Sequence, residues 1–372
     1  MKKSILFFVL SFVALNSVSA QKNLPIIKAS SNLVDIKDGK KFQKSFWTIV
    51  PEAKPDVFTT SSKEVVFYTD MDSIKIKVKQ DENWKYDFII LLNGKDSAYT
   101  QVEYRQSYLS ILKTAKNYNN SNTNIPKFEY QPMDNPSLVK IRQELKLDSI
   151  AGTGNEVSKI INLLHWIHYL IPHDGMHGNP EVRNALNMIS VCKKESRGLN
   201  CRGLATVLNE CYLSMGIKSR FVTCLPKDTT DPDCHVINMV YSNDLNKWIW
   251  IDPTMDAYVM NESGELLGIE EVRERLINGK PLILNPDANW NRQETQTKHY
   301  YLENYMAKNL YRLECPLISE YDTETRKDGK VVNYVKLLST DDQDNNIEGS
   351  KSKLNKVVFY KTNDSSFFWQ RP

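Results

Sequence analysis

The chain carries a thiol, an imidazole and a carboxylate in close succession, at Cys201, His235 and Asp252. A thiolate can attack a carbonyl carbon, an imidazole can take up and return a proton, and a carboxylate can hold the imidazole in one orientation. If the fold brings the three side chains together, these residue types predict acyl transfer through a covalent intermediate on the cysteine.

The cysteine of this set stands at the predicted start of a helix. Asn200 precedes the helix, and Gly216 ends it in the position favoured for a left-handed cap. The positive end of the helix dipole lowers the pKa of a thiol at this place, and the backbone N–H groups of the first turn can bind an oxyanion. We therefore expect Cys201 to be the nucleophile. The apolar stripe of this helix is Leu204, Ala205, Leu208, Cys211, Tyr212 and Met215.

The imidazole and the carboxylate lie at the ends of two predicted strands. Residues 235–241 and 247–252 are rich in β-branched and aromatic side chains, which favour strands. A hairpin of these strands brings His235, at the start of one, beside Asp252, at the end of the other. Each residue of the three also fits a structural role by itself, but their order and their elements favour a triad.

The stretch 198–258 resembles the transglutaminase-like superfamily, a branch of the papain-like cysteine-enzyme fold. The resemblance covers roughly residues 135–312 and implies an α+β core in which the cysteine helix packs against an antiparallel sheet. It implies that Cys201 is the nucleophile, that His235 is the general base and acid, and that Asp252 orients the imidazole. The matching residues are Gly198-Leu199-Asn200-Cys201, Ala205, Gly216-Ile217, Arg220-Phe221-Val222, His235-Val236 and Trp250-Ile251-Asp252-Pro253-Thr254.

The resemblance identifies no side-chain donor for an oxyanion. Trp166 is a candidate because it lies upstream of the cysteine helix, and a core aromatic is the alternative for it. The type of protein implied is an exported bacterial one with flanking β regions.

The pattern of secondary-structure signals changes twice along the chain, and these changes predict its domain organisation. Strand patterns fill residues 22 to about 130, helical spacing begins at Asn135-Pro136, and strand patterns return in the last 60 residues. We therefore predict an α+β fold with an N-terminal β domain and a C-terminal β extension. The predicted segments are a signal peptide (1–20), the N-terminal β domain (21–130), the transglutaminase-like catalytic domain (131–313) and the C-terminal β extension (314–372).

The first twenty residues have the pattern of a signal peptide. Lys2-Lys3 precede the apolar run 5–15, and Val18-Ser19-Ala20 forms a small-residue cleavage pattern, which predicts a mature start at Gln21. The apolar run is shorter than the roughly 20 residues that span a bilayer, and an uncleaved anchor is the alternative. We expect an exported, periplasmic or extracellular protein without an integral membrane segment.

Composition excludes several other classes of protein. The 48 basic and 45 acidic residues give a formal net charge of +3, so that no strong field of one sign favours nucleic acid. No CxxC pair occurs, and the four histidines between 165 and 177 lack the spacing of a metal site. We expect neither a metal nor a cofactor. Among six cysteines, Cys224 and Cys234 could form a disulfide, or both could stay free thiols.

These observations predict an exported cysteine enzyme that accepts a peptide, protein or amide substrate. Hydrolysis by a peptidase or amidase is favoured over crosslinking, because water is abundant. Trp248, Trp250, Tyr258 and the loop 174–180 are candidates for substrate contacts, and core packing is the alternative for the two tryptophans. The alternative function is a non-catalytic module that binds carbohydrate or protein on the same scaffold.

Overall fold

The computed structural model describes residues 24–52, 54–119, 125–327, 329–342, 351–354 and 357–372. The predicted signal peptide, residues 1–20, lies outside these residues. The chain divides into two compact units, the first ending at Gln106 and the second spanning Ser107–Pro372. The helix at Tyr108–Lys113 belongs to the second unit, where Leu112 is fully buried. The bounds of the four segments given above stay a prediction.

Strands form the first unit. Among its described residues, two four-stranded sheets occur, with the strand orders β1-β7-β8-β4 and β3-β2-β5-β6. The sheets share one apolar core, in which the rings of Phe67 and Phe88 lie 5.1 Å apart. The strands are β1 (Ile26–Ala29), β2 (Leu33–Asp38), β3 (Lys41–Thr48), β4 (Asp56–Thr60), β5 (Glu64–Tyr68), β6 (Ser73–Lys77), β7 (Lys85–Leu92) and β8 (Asp96–Tyr104).

A tight turn joins β7 to β8. Asn93 and Gly94 both have positive φ angles, of 53° and 67°, which is the geometry of the hairpin turn that an Asn-Gly pair favours. The two strands pair antiparallel from Lys85↔Glu103 to Leu92↔Asp96. By contrast, β1 and β4 add to the edges of this hairpin in parallel.

The second unit combines helices with a large sheet. Its helices are α1 (Tyr108–Lys113), α2 (Pro136–Glu144), α3 (Leu147–Ala151), α4 (Glu156–Leu170), α5 (Ala185–Glu195), α6 (Cys201–Ser214), α7 (Ile269–Ile277), a π-helix (His299–Met306), α8 (Ala307–Asn309) and α9 (Ser365–Phe368). Its strands are β9 (Glu129–Tyr130), β10 (Ser219–Leu225), β11 (His235–Ser242), β12 (Lys247–Ile251), β13 (Val259–Met260), β14 (Ile283–Leu284), β15 (Asn289–Trp290), β16 (Glu294–Thr295), β17 (Arg312–Pro316), β18 (Ile318–Ser319), β19 (Val332–Leu337), β20 (Lys351–Leu354) and β21 (Val357–Thr362).

One sheet runs through the second unit. In the described part of the chain it has seven strands, in the order β12-β11-β10-β17-β19-β21-β20, all antiparallel to their neighbours except β19 and β21. The C-terminal strands therefore extend the sheet that contains the predicted hairpin, which is β11 and β12. This arrangement confirms the predicted α+β class, with an N-terminal β region and a C-terminal sheet extension.

Helix α6 is the central helix of the second unit. Every residue from Gly203 to Ser214 is buried, because the helix packs on other helices and on β10 and β11. Leu204 and Leu208 lie in the core that the helices share, and each contributes roughly 1.5–3 kcal/mol by its burial. On the sheet side, the Asn238 side chain donates a hydrogen bond to the carbonyl of Ala205 at 3.0 Å. The start of α6 is thus fixed against β11.

Candidate active site

Cys201 is the first residue of α6, and amide side chains hold this helix start in place. The Asn200 side chain caps the helix by accepting a hydrogen bond from the N–H of Gly203 at 3.1 Å. Asn179 pairs with Asn200 twice, donating to its side chain at 2.7 Å and accepting from its backbone N–H at 3.2 Å. The predicted loop 174–180 therefore lies against the partly buried thiol.

The hairpin of β11 and β12 brings His235 and Asp252 together. The register Asn238↔Ile251 places the start of β11 beside the end of β12. His235 Nε2 lies 2.7 Å from Asp252 Oδ2, and the two side chains are 1% and 0% exposed. The N–H of Thr254 donates to the other carboxylate oxygen at 2.9 Å, which fixes the carboxylate plane.

Cys201 lies close enough to His235 for the two groups to shift each other's pKa, which links the thiol to the imidazole and the carboxylate. Because Nε2 faces the carboxylate, the nitrogen that remains for the thiol is Nδ1.

The charges of these groups stabilise one another. Burial disfavours the thiolate of Cys201, but hydrogen bonds from His173 and His235, and the charge of His235, outweigh burial and lower its pKa to about 6. Burial likewise disfavours the imidazolium of His235, but Asp252 and the thiolate raise its pKa to about 10. The pKa of Asp252 is lowered despite burial, because of the charge of His235. Between about pH 6 and 10, the pair is a thiolate and an imidazolium.

Two tyrosines that the sequence did not single out support the pair. The Tyr301 hydroxyl donates to Asp252 Oδ2 at 2.6 Å and accepts from the indole N–H of Trp250 at 3.2 Å. The ring of Tyr305 lies edge-on to the ring of His235, 5.2 Å away. Both belong to the π-helix, a rare form that often occurs at functional sites.

His173 also reaches the thiol, and sequence reasoning considered it only as one of four histidines. It follows α4 and forms a parallel bridge with Leu199, two residues before Cys201. Its backbone N–H and carbonyl bind the side chain of Asn291, at 2.6 and 2.9 Å. Its ring lies close enough to Cys201 to lower the pKa of the thiol. The sequence signal that could have identified His173 is its position directly after Pro172, a residue type that ends helices.

Gly198 permits this approach of the two segments. A Cβ atom at this position would lie 2.3 Å from the carbonyl oxygen of Pro172 and 2.8 Å from Cβ of Asp174. We expect Gly198→Ala to push the segment of His173 away from Cys201. The expected results are a loss of about 1–3 kcal/mol in the free energy of unfolding and a slower alkylation of Cys201 at pH 6.

Urea denaturation and iodoacetamide labelling measure these two effects. Gly178→Ala is the matched control, because a Cβ there meets no atom within 4 Å. Equal behaviour of the two variants would contradict the steric role of Gly198.

The side chains predicted to contact substrate lie elsewhere. Trp250 is fully buried against Tyr301, and Trp248 is 7% exposed and packs against Arg220, whose guanidinium carbon lies 4.9 Å from the indole. The structure thus places the tryptophans in the core, the alternative left open above, because both belong to the apolar face of β12. Tyr258 is half-buried and lines a cavity of about 660 Å³ that none of the three triad residues lines. Trp166 packs against the helical core.

The remaining histidines have their own partners. His165 Nδ1 lies 2.6 Å from Asp256, the carboxylate that follows Asp252 by four residues, and His177 Nδ1 lies 2.6 Å from Asp174. His168 binds the carbonyl of Pro253 and the side chain of Asn289, both at 3.0 Å. Within the described ranges, no group of three or more histidine, cysteine, aspartate or glutamate side chains is arranged to hold a metal ion.

All six cysteines are free thiols in the structure, so that Cys224 and Cys234 are not bridged. Cys224 pairs across the sheet with His235 rather than with Cys234. Burial raises the pKa of every cysteine except Cys201, to about 11 for Cys315. One acidic thiol therefore stands among five that resist ionisation.

Comparison with known proteins assigns the domain. Residues 143–253 match the sequence profile of the transglutaminase-like superfamily, and this segment, which contains Cys201, His235 and Asp252, is a transglutaminase-like domain. No curated protein matches the chain. No helix within the described residues has the length and apolarity to cross a membrane.

Three solved structures show similarity to the chain. A candidate cysteine protease from Cytophaga hutchinsonii is 18% identical over 34% of this chain and 46% of that one, with a TM-score of 0.24. A candidate protease from Parabacteroides distasonis is 15% identical over 52% and 36%, with a TM-score of 0.22. Red sea bream transglutaminase is 13% identical over 63% and 49%, with a TM-score of 0.20. The chain spans less than half the length of each of them.

Proposed function

We propose that the transglutaminase-like domain is a cysteine hydrolase that cleaves a peptide or amide bond through an acyl-enzyme on Cys201. The observation that carries this proposal is the buried assembly in which Tyr301 binds Asp252, Asp252 binds His235, and His235 lowers the pKa of Cys201. Each member polarises the next, and the assembly ends on a thiol with a pKa of about 6.

The reaction follows from these positions. The thiolate of Cys201 attacks the carbonyl carbon, the C–N bond of the tetrahedral intermediate breaks, and the imidazolium of His235 gives its proton to the leaving amine. His235 is then neutral and removes a proton from water, which attacks the thioester and releases the acid. Asp252 keeps the imidazole oriented through both steps. We favour water as the acyl acceptor over an amine, because water is abundant.

The leader pattern of residues 1–20 supports the part of this proposal that concerns location, which is outside the cytoplasm, in the periplasm or the medium. That part of the proposal rests on the sequence alone.

The reactivity of the thiol should depend on pH in a defined way. Because the thiolate is the deprotonated form, alkylation of Cys201 by iodoacetamide should rise as the pH rises through about 6, far below the usual range near 8.5. Hydrolysis needs the thiolate and the imidazolium together, so that its rate should fall again as the pH rises through about 10. Mass spectrometry of the labelled peptide follows the first change, and turnover of an amide substrate follows the second.

Cys201→Ala is the control for the other five thiols in this experiment. A site that reacts only above about pH 8.5 would contradict the ion pair. That result would instead favour the non-catalytic binding module on the same scaffold.

A further inference from the structure

The hydrogen bonds of His173 determine which of its ring nitrogens carries the proton. The indole N–H of Trp290 lies 3.1 Å from His173 Nδ1. An indole nitrogen can only donate, so that Nδ1 must accept with its lone pair. The proton of the neutral ring is therefore on Nε2, the nitrogen left to face Cys201. His173 offers the sulfur an N–H donor and not a base.

His173 differs in this respect from His235. A buried carboxylate faces His235 and favours the imidazolium, whereas an indole N–H faces His173 and occupies the lone pair of its Nδ1. The nearest carboxylate along the chain, Asp174, is paired with His177 instead. Two imidazoles thus flank one thiol with opposite tasks, one to carry a mobile proton and one to present a fixed N–H.

The donor is also held rigidly. The backbone of His173 is fixed by Asn291 and by the bridge to Leu199, and its ring is fixed by Trp290, whose ring centre lies 6.3 Å away. A donor that need not reorganise during the reaction stabilises developing charge most effectively.

We propose that His173 is a catalytic residue whose Nε2–H forms the side-chain half of the oxyanion hole. The backbone N–H of Cys201, at the start of α6, forms the other half. Trp290 is a positioning residue that fixes the tautomer of the imidazole. This assignment rests on the proposed acyl-transfer function.

The role of the donor is defined by the bonds that change. When the Cys201 S–C bond forms, the π electrons of the carbonyl move to its oxygen, and the two N–H groups bind the resulting oxyanion. When the oxyanion collapses, the C=O bond is restored and the leaving group departs with its bonding electrons. His173 keeps its proton throughout.

The test compares two reactions of the same sulfur in the full chain. Iodoacetamide alkylates Cys201 by displacement of iodide, without an oxyanion, whereas p-nitrophenyl acetate acylates it through a tetrahedral oxyanion. The p-nitrophenolate leaving group needs no proton, so that the acid role of His235 does not enter. The ratio of the acylation rate to the alkylation rate therefore reports the oxyanion hole and cancels any change in the thiolate fraction.

We expect His173→Ala to lower this ratio by about 100-fold, the usual effect of one lost donor. His173→Gln retains an N–H donor, and its ratio should be at least tenfold higher than that of His173→Ala. Trp290→Phe keeps an aromatic ring but frees the tautomer, and should lower the ratio by about tenfold. The matched control is His165→Ala, which removes an imidazole that is paired with Asp256 and should leave the ratio unchanged.

The outcomes separate the two proposals. A ratio that stays within about twofold of the native value in His173→Ala, while alkylation slows, would show that His173 only stabilises the thiolate. A native Cys201 that reacts with neither reagent at pH 7 would overturn the proposed function itself, and this inference with it. If His173→Ala does not fold, the glutamine and Trp290→Phe variants decide the question.

Discussion

Replacement of His235 by alanine is expected to lower the hydrolysis rate by about 1,000-fold or more. The variant loses the imidazolium that stabilises the Cys201 thiolate, and it loses the base that activates water for the second step. Its thiol pKa should rise from about 6 toward the usual range, so that alkylation at pH 6 also slows by more than tenfold. Release of p-nitrophenolate from p-nitrophenyl acetate and iodoacetamide labelling measure the two effects.

The matched control for this variant is His165→Ala. His165 is also paired with a carboxylate, at 2.6 Å from Asp256, but this pair is distinct from the buried assembly that ends at Cys201. A loss of activity in His165→Ala as large as in His235→Ala would mean that both changes act through folding. Full activity in His235→Ala would remove His235 from the mechanism.

Asp252→Asn should have the second largest effect, a loss of about 100-fold in hydrolysis. The amide carries no charge, so that the imidazolium of His235 loses its main support and its pKa falls from about 10. The thiol pKa rises in turn, and alkylation of Cys201 at pH 6 slows, though less than in His235→Ala. The labelling rate across pH 4–9 shows this as a shift of the midpoint to higher pH.

Asp256→Asn provides a control of the same chemistry, four residues along the chain. Asp256 is also fully buried, and it binds His165 rather than His235. We expect the pH midpoint of Cys201 labelling in Asp256→Asn to match that of the native protein. If Asp252→Asn leaves the midpoint unchanged, or if it only unfolds the domain, Asp252 is a structural turn residue.

Local signals made the centre of the site predictable from sequence. Asn200 and Gly216 mark the two ends of α6, and the alternating runs that became β11 and β12 define a hairpin whose ends meet. Each signal acts within a few residues of the element that it specifies, so that periodicity and capping rules are enough. The positions of Cys201, His235 and Asp252 follow from those elements.

The rest of the site depends on contacts between distant segments, which no local pattern encodes. His173 reaches Cys201 through a bridge to Leu199 and takes its tautomer from Trp290, more than 100 residues later. Tyr301 and Tyr305 lie in a π-helix, and no local pattern distinguishes this form from an α-helix, because the form depends on packing against the rest of the unit. Burial also determines that Trp250 is a core residue and not a substrate contact. Both faces of its strand are covered, so that the aromatic side chains of the strand are not exposed to solvent.

The contrast between one acidic thiol and five resistant ones gives the protein an internal reporter of its own folding. Cysteine labelling usually measures unfolding because denaturation exposes protected thiols. Here, at pH 6, the order is inverted: Cys201 is reactive only while four separate chain segments, at 173, 201, 235 and 252, are assembled around it. In a denatured chain, all six thiols have ordinary pKa values and react slowly at that pH. The disappearance of fast labelling therefore marks the loss of native structure, without an added dye or tag.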